Sequence, residues 1–199
     1  MRAAPSHAFE SMDMNRIFSP RFSFRFSILW AAACLLAAPA QAHITLEHQT
    51  AHAGSYYKAN FKVGHACGES PIRQIVVQIP AGVQGAKPMR KPGWDLLIEK
   101  AALTTPYRDH GRLVSEDVVR ISWTARTQAD QLPNNQYDEF ALHAKLPEQA
   151  GPLYWSVSQI CAEGRIDWQE VPATGQSLHQ LKAPAALLDL LPKSGGHAH

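Results

Sequence analysis

The chain has 199 residues, with 19 Lys and Arg against 17 Asp and Glu, and a balance this close offers no electrostatic footprint for nucleic acid or an anionic membrane. The small positive excess belongs to the first 42 residues. Without Arg2, Arg16, Arg21 and Arg25, and without Glu10 and Asp13, the totals become 15 and 15.

Arg16, Arg21 and Arg25 precede an apolar stretch from Ile28 to Ala38, and Ala40-Gln41-Ala42 follows. Basic flank, short apolar run and small residues two apart are the plan of a bacterial export signal. A membrane-spanning helix needs about 20 apolar residues, more than this stretch supplies. Residues 1–42 therefore read as a signal peptide cleaved after Ala42, and the chain starts either at Met1 or at Met14. A lipid on Cys34 is the weaker reading, because Ala31-Ala32-Ala33 lacks the usual leucine. The exported protein then starts at His43, in the periplasm, with no second apolar run to anchor it.

The remaining 157 residues suffice for one domain. Short alternating segments separated by Pro, Gly and Asn predict strands at Ile44–Gln49, Tyr56–Val63, Ile72–Ile79, Trp94–Glu99, Val118–Thr124, Glu139–Leu146, Leu153–Cys161 and Ile166–Val171. Tyr57, Ala59, Phe61 and Val63 share one face of their strand while Lys58, Asn60 and Lys62 take the other, as burial on one side requires. The fold class is therefore all-β. An immunoglobulin-like antiparallel β-sandwich satisfies the pattern most simply, and a closed barrel comes second. The domain is expected over 43–175, with a C-terminal extension over 176–199 in which Ala185–Leu191 adds a short helix or an edge segment and Ser194–His199 forms a loose tail.

Cys67 and Cys161 are the cysteines left after cleavage, and in an oxidising compartment they read first as a disulfide. A thiolate metal pair is the weaker reading. The terminal His43 is a chelate that no internal histidine can form, because the free amine and ring Nδ1 close one six-membered ring on a metal. Nitrogen-rich tetragonal sites suit Cu(II), which stands at the top of the divalent stability order. Copper must displace a proton from an amine of pKa near 8, so affinity weakens in acid. Against this stands the reading that some residue has to come first.

His65 lies two residues before Cys67 on the face expected for Phe61 and Val63, where a boundary histidine and a metal ligand are both open. Trp155 alternates onto the face of Val157, Gln159 and Cys161. It reads either as a core aromatic or as an indole closing over a cationic site. His48, His52, His110, His143 and His179 lie in unrelated contexts, and His197 and His199 form at most a weak flexible site. Gly-x-Ser-x-Gly, His-Glu-x-x-His and phosphate-cradling glycine loops are missing, so hydrolase, zincin and P-loop chemistry have no motif to rest on.

The ordered set His43-Ile44-Thr45-Leu46, Ala53-Gly54-Ser55-Tyr56, Lys91-Pro92-Gly93-Trp94 and Leu153-Tyr154-Trp155 resembles the YcnI-like copper-binding family from His43 to about Val171. The resemblance implies a secreted sandwich that binds Cu(II) through a single-histidine brace, with a nearby tryptophan, and takes part in copper handling; the main expectation is capture, delivery or sequestration of Cu(II) without turnover. Carried onto this chain, the brace falls on His43 and the tryptophan on Trp155. Where relatives have a carboxylate after the second strand, this chain has Gly64-His65-Ala66-Cys67. His65 is taken as the second metal ligand, with Glu47 and Glu69 as the carboxylate alternatives. Expected partners are the copper ion and other periplasmic copper chaperones or a membrane copper transporter. A histidine-brace oxidase or monooxygenase and a metal-free adhesion or assembly module are the competing functions.

Overall fold

The computed structural model describes residues 43–193. The segment 1–42 read as a signal peptide, with Cys34, and the tail histidines His197 and His199 lie outside the described residues.

The elements are β1 (Thr45–Leu46), β2 (Thr50–His52), β3 (Tyr56–Val63), β4 (Ile72–Gln78), β5 (Gln84–Pro88), β6 (Trp94–Asp109), β7 (Arg112–Ala125), β8 (Asp138–Lys145), β9 (Gly151–Trp155), β10 (Val157–Cys161), β11 (Arg165–Trp168) and β12 (Ala186–Leu191). They form a four-stranded sheet in the order β1-β3-β8-β5, a five-stranded sheet in the order β11-β10-β4-β7-β6, and a three-stranded sheet in the order β2-β12-β9. Every pairing is antiparallel except β2 with β12. The architecture is an immunoglobulin-like β-sandwich.

Alternation explains the core. Ala59, Phe61 and Val63 of β3, Phe140 and Leu142 of β8, Ile75 and Val77 of β4, and Ile121 and Trp123 of β7 are all buried, one face of each strand turned inward. Phe140 ties the two larger sheets together, since Trp123 and Trp94 both meet its ring edge-on at 5.7 and 5.0 Å. Phe61 does the same toward β9, meeting the Trp155 ring at 5.7 Å. Such edge-to-face pairs contribute about 0.5–1.5 kcal/mol each beyond the area they bury.

Several segments differ from the sequence expectation for identifiable reasons. The first expected strand is split into β1 and β2, which belong to different sheets. The expected strands at Trp94–Glu99 and Val118–Thr124 are the near ends of one long hairpin. Asp109 pairs with Arg112 across a two-residue turn in which His110 and Gly111 both have positive φ, 45° and 79°, as a tight hairpin turn requires. Leu153–Cys161 breaks at Ser156, whose carbonyl accepts a hydrogen bond from the Gln78 amide, and the chain passes there from the three-stranded to the five-stranded sheet. β5 carries Gly85 and Pro88, which weaken its strand signal. Ala185–Leu191, expected as a short helix or an edge segment, supplies β12 (Ala186–Leu191), the central strand of its sheet. Its alternation is clear in retrospect, with Ala186, Leu188 and Leu190 buried.

Candidate metal site

β1 is only two residues long, yet it is held firmly. Thr45 pairs with Lys62 and Leu46 with Phe61, and Ile44 and Leu46 are driven into the core. His43 immediately precedes this anchored segment and is half-buried. Its ring meets that of Trp168 edge-on, with centroids 5.6 Å apart and planes at 60°. The ring nitrogen Nε2 is enclosed and has no hydrogen-bond partner among the described residues. With Nε2 shut away, Nδ1 is the ring nitrogen left to act as a donor, and it is the nitrogen that closes a chelate with a terminal amine.

Trp168 ends β11 opposite Val157 of β10. Its indole N–H donates to Gln159 Oε1 at 3.0 Å, and Gln159 Nε2 donates to the His65 carbonyl at 2.8 Å. Gln159 is 1% exposed, so both ends of its amide need these partners. One buried glutamine thus links the indole against His43 to the backbone of His65. Beside it, Asp167 accepts from Arg165 and Ser158. The Arg165 guanidinium, followed by the Ser158 hydroxyl, holds the Asp167 carboxyl below its ordinary range, and the Ser158 contact ties β10 to β11.

β3 stops at Val63, so the continuous strand face expected to carry His65 toward Cys67 is not formed, and the His65 side chain is exposed. The loop around it is nevertheless restrained. The Ala66 amide donates to Asn134 Oδ1 at 3.1 Å, and Cys67 is bonded to Cys161 with Cα atoms 6.1 Å apart. Cys161 lies on β10 two residues beyond Gln159, so the disulfide and the glutamine grip the same loop from one strand.

Trp155 is fully buried against Phe61, and its indole N–H has no partner among the described residues. The structure sets Trp168 against the His43 ring. Sequence reasoning passed over Trp168, although the Glu163-Gly164 turn between two short strands was a signal that β10 and β11 pair and that Trp168 returns to the level of Val157.

The carboxylate alternatives, Glu47 and Glu69, are both exposed. Glu47 accepts from Asn60 Nδ2 at 3.1 Å, and the same amide donates to Glu139. Tyr137 and Asn60 together hold the Glu139 carboxyl below its usual range. Glu69 is exposed in the turn after Cys67. The remaining histidines are dispersed: His52 Nδ1 lies 2.7 Å from the Pro192 carbonyl, His143 stacks on Tyr56 at 5.3 Å, and His110 occupies the hairpin turn. Among the described residues, no group of three or more His, Cys, Asp and Glu side chains is arranged to hold a metal. A site built on a terminal chelate does not need one, because a single histidine residue supplies two of the donors.

The family described as "Domain of unknown function (DUF1775)" matches residues 43–190, and the chain belongs to this YcnI-like family. The match begins at His43. The chain is 25% identical over 132 residues to a protein of Bacillus subtilis (strain 168) named "Copper-binding protein CutI", covering 66% of this chain. It spans 57% of that relative's length. Among solved structures it resembles an uncharacterized protein from Nocardia farcinica described as having an immunoglobulin-like fold, with a TM-score of 0.58, 21% identity, and coverage of 74% of this chain and 97% of that one.

Proposed function

We propose that this member of the DUF1775 family is exported to the periplasm, cleaved after Ala42, and binds Cu(II) as cargo through its new terminal residue, acting in copper capture, delivery or homeostasis without turnover. The observation that carries the reading is the state of His43. Its Nε2 is enclosed and its ring braced by Trp168, which leaves Nδ1 and the new amine as the chelating pair. The copper-binding name of the Bacillus relative supports copper as the metal, and the donor set agrees, since two nitrogens in one small ring favour Cu(II) over other divalent ions.

His65 is the proposed second side-chain ligand. Its carbonyl is two hydrogen bonds from the indole that packs on His43, and its exposed ring can turn without disturbing the restrained backbone. Copper chaperones or a membrane copper transporter are the proposed partners.

The test compares Cu(II) titrations of protein beginning at His43 and of protein with one residue added before it. The added residue converts the amine to an amide and should abolish tight binding; equal affinity in both would overturn the brace. His65→Ala should weaken binding and change the copper EPR spectrum while the terminal chelate survives, and an unchanged spectrum would remove His65 from the site. Oxygen consumption with a reductant and candidate polysaccharides separates carrier from oxidase, since sustained substrate-dependent turnover would overturn the carrier reading.

A further inference from the structure

A trough of about 570 Å³ runs between β5 and β6. β5 is the outer strand of the four-stranded sheet and β6 the outer strand of the five-stranded one, so two open sheet edges flank the same depression. The segment 89–93, which joins these strands, closes one end. The other end is tied by Asp117, whose Oδ2 accepts from the Gly85 amide at 2.8 Å and the Tyr107 hydroxyl at 2.7 Å while Oδ1 accepts from the Val118 amide.

The lining has two kinds of residue. Leu96 and Ile98 supply an apolar wall, with Ile98 45% exposed. Lys87, Arg90 and Lys100 stand around it, all exposed, and none has an ion-pair partner among the described residues. Asp117 is the one carboxylate lining the trough, and its oxygens are committed to the three donors just named. The trough is therefore cationic toward any occupant. Among the described residues β6 pairs with β7 alone, so within them its outer backbone N–H and C=O groups are open to another strand. A second copy of this edge is a poor occupant, because it would bring three like charges against three.

We propose that this trough is a docking site for an acidic, extended peptide segment of a partner protein, added as a strand to the free edge of β6. Apolar side chains of the segment pack on Leu96 and Ile98, and its carboxylates pair with Lys87, Arg90 and Lys100. Backbone hydrogen bonds supply affinity in this mode, while the alternating side chains supply selectivity. The site is separate from His43 and does not depend on copper.

The probe is a fluorescein-labelled peptide of alternating glutamate and valine, titrated against the purified full-length exported protein by fluorescence anisotropy. Saturable binding that weakens with added salt is expected. The Arg90→Glu, Lys100→Glu double variant should weaken it about tenfold or more. Methylating alternate backbone nitrogens of the peptide should abolish binding, because the edge hydrogen bonds are lost. Both changed residues are exposed, and an unchanged thermal unfolding curve of the variant separates loss of the site from loss of the fold. Equal binding of a lysine–valine peptide, indifference to N-methylation, or no binding would each overturn the proposal. So would capture by phosphatidylglycerol vesicles without capture of the peptide.

Discussion

The ring of His43 and the ring of Trp168 meet edge to face at 5.6 Å, so the histidine that begins the domain is steadied by an indole 125 residues away in sequence. An aromatic pair of this kind is worth about 0.5–1.5 kcal/mol. Trp168→Leu should therefore lower Cu(II) affinity by up to about tenfold, measured by competition titration. The same variant should move the His43 ring proton resonances in metal-free protein, because the indole ring current is gone. Unchanged resonances would mean that the two rings do not meet in solution.

Gln159 makes a second prediction that does not involve copper. It is buried, donates to His65 and accepts from Trp168. Gln159→Leu keeps the volume and leaves the Trp168 N–H and the His65 carbonyl without that partner. An orphaned buried polar group costs about 1–3 kcal/mol, so the urea midpoint should fall accordingly with little change in slope. A midpoint equal to that of the parent would show that water replaces the glutamine at no cost.

The disulfide is a third test. Cys67 and Cys161 are 94 residues apart, and closing so long a loop stabilises by about 4–5 kcal/mol in the chain-entropy model. The Cys67→Ala, Cys161→Ala double variant should lose a stability of that order in urea unfolding. It should also bind copper less tightly if His65 is a ligand, because the loop after β3 then loses its covalent tie and keeps only hydrogen bonds such as those to Gln159 and Asn134. Intact mass should rise by about two daltons on reduction of the parent protein; no rise would mean that the thiols are free.

These relationships mark where the sequence was readable and where it was not. Strand alternation in β3, β4, β7 and β8 exposed the sandwich, because one-sided burial imprints a period of two. The bend at Ser156 left no such imprint: Trp155, Val157, Gln159 and Cys161 all stay buried although the chain changes sheets between the first two. The placement of Trp168 rests on cross-strand pairing with Val157, a register that a single strand's pattern does not encode. His65 illustrates the opposite limit, since its alternation with Val63 was real in sequence and ended where the strand ended. Ala186–Leu191 was legible by period, but its parallel partner β2 lies more than 130 residues upstream.

Alkaline pH should destabilise the fold through Tyr57. Its hydroxyl donates to the His48 carbonyl, and burial, followed by repulsion from Glu47, pushes it up to about 12 from 10. The folded state thus holds this proton more tightly than the unfolded state. The contribution is fully present below pH 10 and is lost as pH rises from about 10 to 12. Tyr107 and Tyr137 are shifted in the same direction, so Tyr57→Phe should flatten part of the alkaline decline rather than remove it. A decline of unchanged steepness in thermal melts across that range would discount Tyr57.

The last prediction concerns β12. Leu188 is fully buried, and its strand pairs with β2 on one side and, through Leu188 opposite Leu153, with β9 on the other. Removing a leucine side chain from a packed core costs about 2–5 kcal/mol. Leu188→Ala should therefore fall in that range, whereas Asp189→Ala, at an exposed position on the same strand, should change stability by less than about 0.5 kcal/mol. The contrast matters because β12 also carries the chain to Lys193, whose ammonium pairs with Glu148, the carboxylate that also pairs with Lys145 at the end of β8. If β12 were a dispensable addition, Leu188→Ala and Asp189→Ala would be equally mild in urea unfolding. If it is part of the sandwich, the buried position alone is costly, and β2, which follows the His43 segment directly, loses its partner when β12 is loosened.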